Sequence, residues 1–194
     1  MLPRSFLACA WVVAAVVALI HAEVSPARAA EREPPAGYVG FSLGPGWADS
    51  SGANGQTGGG AGAVFMGHTW TGPWSWGVDA RFWWHSRDST SQELTFAGPA
   101  IAWHPQPTGP LLRLAGGVAY DHRLLTFADN SSDQRSDGTG LAVSAAYEFR
   151  LGTYFALGPQ MDFTRIWLAR GSTASFWSAA LELTMYFPLH PTNN

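Results

Sequence analysis

Between residues 38 and 187 the chain changes character every second residue, and it does so over eight successive stretches. A side-chain period of two is the signature of β-structure, because neighbouring side chains on a strand point to opposite faces. The segments fall at residues 38–47, 62–71, 75–86, 93–104, 111–122, 139–150, 154–167 and 175–187. The third is among the clearest, with Trp76, Val78, Ala80, Phe82 and Trp84 on one phase and Asp79, Arg81, Trp83 and His85 on the other. In the fourth, Leu94 and Phe96 share one phase whereas Ile101 and Trp103 share the other, with Gly98-Pro99 between them. A β-bulge at that dipeptide is expected to restore a single apolar face. Segments of this length exceed the ~5–6 residues of ordinary strands and match the ~9–11 of a tilted strand crossing a bilayer.

The connections alternate as well. Those after the first, third, fifth and seventh segments are longer and more polar on average, notably 48–61 and 123–138. Those after the second, fourth and sixth are shorter and contain Gly or Pro. An even strand number with alternating long loops and short turns implies an all-β fold, an eight-stranded antiparallel up-and-down barrel crossing a membrane. Both termini then lie on the periplasmic side.

Periodicity alone does not say which face meets lipid, since a soluble secreted ligand-binding barrel has the same period with its apolar side inward. Aromatic placement decides. Trp70, Trp74, Trp76 and Trp103 fall near one end of the segments, and Trp47, Trp84, Trp167 and Trp177 near the other. Two such bands match the girdles that sit at headgroup level. The opposite phase carries Asp79, Arg81, Arg113, Asp121, Glu148, Arg150, Asp162 and Glu182, three cations against five acids. Inside a narrow barrel these form a lumen network, where an unpaired charge is costly and cross-strand pairing is expected. Arg165 stands apart on the apolar phase of the seventh segment, there to snorkel to the headgroups or to be re-aimed by a bulge near Pro159. Composition agrees: only 13% of residues are charged, 13% are aromatic and 10 are Trp.

Residues 1–30 read as a signal peptide, with Arg4 before an apolar run of residues 6–20 and Ala27-Arg28-Ala29 as a small-x-small cleavage site. The first expected cut follows Ala29, the second Ala30. The apolar run is shorter than the ~20 residues a spanning helix needs. Residues 31–37 make a periplasmic lead-in, residues 38–187 the barrel, and residues 188–194 a C-terminal tail. The one cysteine, Cys9, lies in the leader, so the mature chain has neither a disulfide nor a thiolate metal site. A net charge of -3 gives no basic field for nucleic acid. The scattered histidines have no ligand spacing, and no phosphate loop appears, so no cofactor is expected.

From Tyr38 to the closing strand LELTMYF at residues 181–187, the pattern resembles the small eight-stranded outer-membrane barrels described as having an outer membrane protein β-barrel domain. The resemblance implies an outer-membrane location, contact with outer-membrane lipids, and assembly by a barrel-assembly machinery. That family often ends on a terminal aromatic, whereas here Phe187 is followed by seven more residues. A non-enzymatic structural or surface-interaction role, with outward-facing loops, follows as the leading expectation, its surface ligand unspecified. Three alternatives remain. One is a soluble secreted ligand-binding barrel and one a narrow pore. The third is a lipid A-modifying enzyme, for which His85, Ser86 and Glu93 would have to converge at the outer rim, although HSRDST lacks the family's expected His and Ser separated by one residue and followed by Asn.

Overall fold

The computed structural model describes residues 37–50, 56–87, 90–106, 108–126 and 131–187. The leader, nearly all of the lead-in, the C-terminal tail and the tips of the two long loops lie outside the described residues. The eight strands are β1 (Gly37–Ser50), β2 (Thr57–Thr71), β3 (Trp74–Arg87), β4 (Thr90–Trp103), β5 (Gly109–Thr126), β6 (Ser131–Arg150), β7 (Phe155–Leu168) and β8 (Thr173–Phe187). Each pairs antiparallel with the next, and β1 pairs with β8, from Gly37 opposite Phe187 to Ser50 opposite Ala174. Closure leaves no long sheet edge within the wall, which is the condition for strands to stand in lipid.

The wall is polarised in the sense of a membrane barrel. Trp76, Leu112, Leu181 and Val118 are 57%, 47%, 57% and 67% exposed on its outside, while Asp79, Arg81, Glu182 and Thr164 are buried within. A soluble barrel would place Trp76, Leu112 and Met185 in its lumen, and all three face out.

Two expectations change. β4 has no bulge. Its partners run from Trp74 opposite Trp103 to Arg87 opposite Thr90 without a slip, and its β5 register is the same on both sides of Gly98-Pro99. Leu94 and Phe96 therefore point inward, beside Ala100 and Ala102, and are fully buried. The β4–β5 pairing skips Gly98 and Pro99, where proline has no N–H to give, and the two strands close on glycines at this level. A Cβ on Gly117 would lie 2.0 Å from Ala97 O, and one on Gly98 2.1 Å from Gly116 O. The register past Pro159 in β7 is likewise unbroken, so Arg165 keeps its outward phase and donates to Thr173 Oγ1 at 3.1 Å.

The second change concerns the long connections. Most of residues 123–138 is not loop. β5 and β6 stay paired up to Thr126 opposite Ser131, forming a hairpin that outruns its neighbour β7, whose last partner is Gly138 opposite Leu168. The strands around 48–61 also extend further, to Ser50 and from Thr57. Turn geometry at the opposite end is conventional, with positive φ at Gly72 and Gly152 where L side chains are strained.

Candidate functional site

The lumen is built in three storeys. At mid-height, Asp79 and Arg81 lie two residues apart on β3 and hence on the same face. Arg81 Nη2 donates to Asp79 Oδ2 at 2.7 Å and to Ser144 Oγ at 2.6 Å, and Nη1 donates to Val143 O at 2.9 Å. Nη1 also stands 3.4 Å from Asp162 Oδ1. Asp162 accepts from Ser144 Oγ and Gln160 Nε2, each at 2.6 Å, and from Ser178 Oγ at 3.1 Å. One guanidinium thus ties β3 to β6 and β7 across the barrel, and the carboxylate it meets gathers β8. The fork geometry is what makes Arg suited to such a clasp.

Below it, toward the termini, Arg113 lies 3.5 Å from Glu182 Oε1 and stacks 3.5 Å from the centre of the Phe65 ring. It is held by charge and by the ring face. Glu182 accepts from Thr184 Oγ1 at 2.9 Å, and Glu148 accepts from the Tyr186 hydroxyl at 2.6 Å. Arg150 covers the other face of this group, 3.4 Å over the Tyr186 ring.

The upper storey is apolar: Trp83, Leu94, Ile166 and Phe176 pack with small alanines from β1, β2, β5 and β8. It closes the lumen with side chains, as expected for the narrow bore of ~8 strands. Above it, at the rim, Asp121 accepts from Gln92 Nε2 at 3.1 Å and pairs with Arg123 at 3.0 Å. The eight charges read from the sequence thus split into the mid-height clasp, the lower group and this rim pair. Sequence reasoning missed Arg123, which sat in a presumed loop, although its i,i+2 spacing from Asp121 was the available signal. It also missed the polar supports Ser144, Gln160 and Ser178.

His85, Ser86 and Glu93 do not converge. His85 lies on the inner phase, stacked 6.1 Å from Trp83, and its Nδ1 donates to Gly58 O at 2.7 Å. Ser86 and Glu93 fall on the outer phase by strand alternation, and Glu93 accepts from Thr95 Oγ1 at 3.3 Å. Among the described residues no group of three His, Cys, Asp or Glu side chains can hold a metal ion.

The eight tryptophans of the two bands lie on the outer phase of the wall. Trp70 is 75% exposed at the end of β2, near Trp74, Trp76 and Trp103, the last opposite Trp74 across β3 and β4. At the other end Trp47 and Trp177 stack with ring centres 4.2 Å apart, and Trp84 and Trp167 are exposed.

His104, in the turn after β4, closes the lower end of the lumen with its ring edge-on to Tyr38. Burial, then the positive Arg113 and Arg150, lower its pKa from 6.5 to about 4. The sign follows from linkage. The folded state keeps the imidazole neutral while the unfolded chain protonates it near 6.5, so the contribution is whole above that pH and is lost as pH falls toward 4. His104→Gln is expected to flatten the acid side of the stability profile across this window. Urea midpoints between pH 7 and pH 4 that fall equally in both proteins would refute it.

Outside the barrel, the β5–β6 hairpin carries a second set of charges. Asp133 pairs with Arg135 at 2.8 Å and with His122 Nε2 at 2.8 Å. The hydrogen bond from Arg135, followed by that from His122, holds the Asp133 carboxyl below the usual range. A recess of about 730 Å³ lies beside it, lined by residues 133–137 and by Leu168, Ala169 and Ser172 among others.

A closed antiparallel barrel with an apolar outside, a charged and plugged inside and one long hairpin defines an integral outer-membrane protein. The model of the outer membrane protein beta-barrel domain matches residues 12–185, and the chain belongs to that family. Its fold is similar to Neisserial surface protein A (TM-score 0.59, 15% identity, 78% of this chain and 97% of that one). It is also similar to Ail, the attachment invasion locus protein of Yersinia pestis (TM-score 0.57, 10% identity, 78% and 99%). No curated protein matches the chain.

Proposed function

We propose that this chain is a non-enzymatic outer-membrane barrel that displays its β5–β6 hairpin for surface interaction. The observation that carries the reading is the contrast between a lumen packed shut by Trp83, Leu94, Ile166 and Phe176 and a polar hairpin that outruns the wall beside β7. A plugged bore speaks against a pore, and the parted His85, Ser86 and Glu93 against a rim catalytic site. The two Trp bands serve as headgroup anchors, with outer-membrane lipids as the partners of the wall. The lumen charges serve to brace it. Biogenesis runs through signal-peptide removal after Ala29 and the barrel-assembly machinery.

The test uses the absence of cysteine from the mature chain. A Gln134→Cys variant is expected to react with a membrane-impermeant maleimide on intact cells, to co-sediment with outer membranes and to migrate heat-modifiably on gels. Mass spectrometry is expected to find Ala30 as the first residue. Recovery of the mature chain as a detergent-free periplasmic monomer, or a cysteine reactive only after lysis, sinks the reading.

A further inference from the structure

The β6 strand is paired on both sides only from Gly138 inward. Residues 131–137 bond to β5 on one side, and the first partner on the β7 side is Leu168, opposite Gly138. Beyond that point the chain leaves β7 through a short 3-10 helix at Ala169–Gly171 and returns as β8. Residues 131–137 therefore have no strand partner on the β7 side, and 133–137 of them line the recess of about 730 Å³. The opposite edge of the projecting sheet, at the end of β3, is shorter: β2 pairs with β3 as far as Trp84, and β3 ends at Arg87. An open edge is a template for a further strand.

The sequence along the edge, Ser-Ser-Asp-Gln-Arg-Ser-Asp, is close to its own charge complement when reversed about Gln134. In antiparallel pairing with a second copy, Gln134 meets the second copy's Gln134, and Asp133 meets its Arg135 on the same face. Arg135 in turn meets its Asp133, Ser132 its Ser136 and Ser131 its Asp137. The two Arg–Asp pairs that the two chains now close on themselves, one in each at 2.8 Å, can be exchanged for two pairs across the junction. A symmetric contact of this kind is isologous and self-limiting, one edge to one edge.

We propose that residues 131–137 form a homotypic junction, the free edge of β6 pairing antiparallel with the same edge of a second copy. The proposal rests on the hairpin being displayed outward. Geometry also states where that second copy stands. Two barrels in one membrane related by an axis along its normal both run β6 from the outer to the inner side, so they cannot set these edges antiparallel. Copies in two facing membranes can. The junction supplies on the order of six backbone hydrogen bonds and little apolar area, so single contacts are weak and many act together between two surfaces.

The experiment uses the mature barrel in phosphatidylcholine vesicles, with two populations carrying different dyes. Wild-type vesicles are expected to tether, read as dye co-diffusion and light scattering. Asp133→Arg alone and Arg135→Asp alone each set like charges opposite one another in a homotypic junction. Each population is expected to tether roughly tenfold less, the change that one strong charge contact turned repulsive produces. Mixing the two variants again sets Arg against Asp at both places and is expected to restore tethering, as is the double exchange D133R/R135D in a single population. Heat-modifiable migration checks that every variant is folded. Maleimide labelling of Gln134→Cys from outside checks that the hairpin is displayed. Unlabelled vesicles overturn the display reading and the junction with it. Labelled wild-type vesicles that stay dispersed overturn the junction alone. So do charge-reversed variants that tether as well as wild type, and a mixture that stays dispersed.

Discussion

Replacing Arg81 with Ala is expected to cost the barrel about 3–5 kcal/mol, the usual penalty for removing one partner of a buried ion pair. The side chain is 1% exposed, and its removal strands Asp79, which is 0% exposed, with Asp162 on the far wall. The penalty has little to do with the net worth of the pair, since desolvation already consumes most of the Coulomb gain. It arises because two carboxylates are left in a water-poor lumen with too few donors. A combined Arg81→Met, Asp79→Asn, Asp162→Asn variant removes the charges together and is expected to recover most of the loss. Urea unfolding in lipid vesicles, followed by Trp fluorescence, reads both. If Arg81→Ala unfolds with the wild type, the clasp across the barrel contributes nothing. Arg135→Ala, on the exposed hairpin, serves as the contrast and is expected to leave the midpoint unchanged.

The second large effect is expected from Trp83. It is fully buried, contacts the outer apolar storey and is the bulkiest side chain there. Trp83→Ala leaves a void in a wall that cannot collapse, because hydrogen-bonded strands fix the diameter of the barrel. A loss of about 3–5 kcal/mol is expected, with Trp83→Phe losing much less because most of the ring volume remains. The same unfolding assay measures it. A Trp83→Ala barrel as stable as wild type would show that the upper lumen is not packed and that a pore can pass through it.

Much of this was written in the alternation itself. Eight period-two segments of membrane-spanning length, with the two Trp bands on one phase and Asp79, Arg81, Arg113, Glu148, Asp162 and Glu182 on the other, dictate both the strand number and the inverted polarity. Lipid accepts no unpaired backbone and few charges, so no other arrangement of those segments stands in a membrane. Cross-strand pairing was expected and occurs at Arg81–Asp162 and Arg113–Glu182, whereas Arg81 also pairs with Asp79 two residues away on its own strand.

Elsewhere the same physics hid the answer. Leu94 and Phe96 looked lipid-facing because a lumen plug and a bilayer ask for the same apolar side chains, and a bulge at Gly98-Pro99 was the cheapest way to put them outside. The register of β4 decides otherwise. The outer reach of β6 was equally hidden. Ser, Asp, Gln and Arg have poor strand propensity, and residues 131–137 are extended because β5 supplies a ladder beside them. His85, Ser86 and Glu93 are neighbours along the chain and across β3–β4, but strand alternation sends His85 to the lumen side and the other two to the outside.

The chain by itself therefore determined how many strands there are and, outside β4, which of their faces is greasy, because those follow from a period of two and the cost of a charge in lipid. Closure of the barrel decided which charges meet: Arg81 reaches Asp162 only because β3 and β7 face each other across the lumen. It also decided which strand edge is left open, because pairing on the β7 side of β6 stops at Gly138.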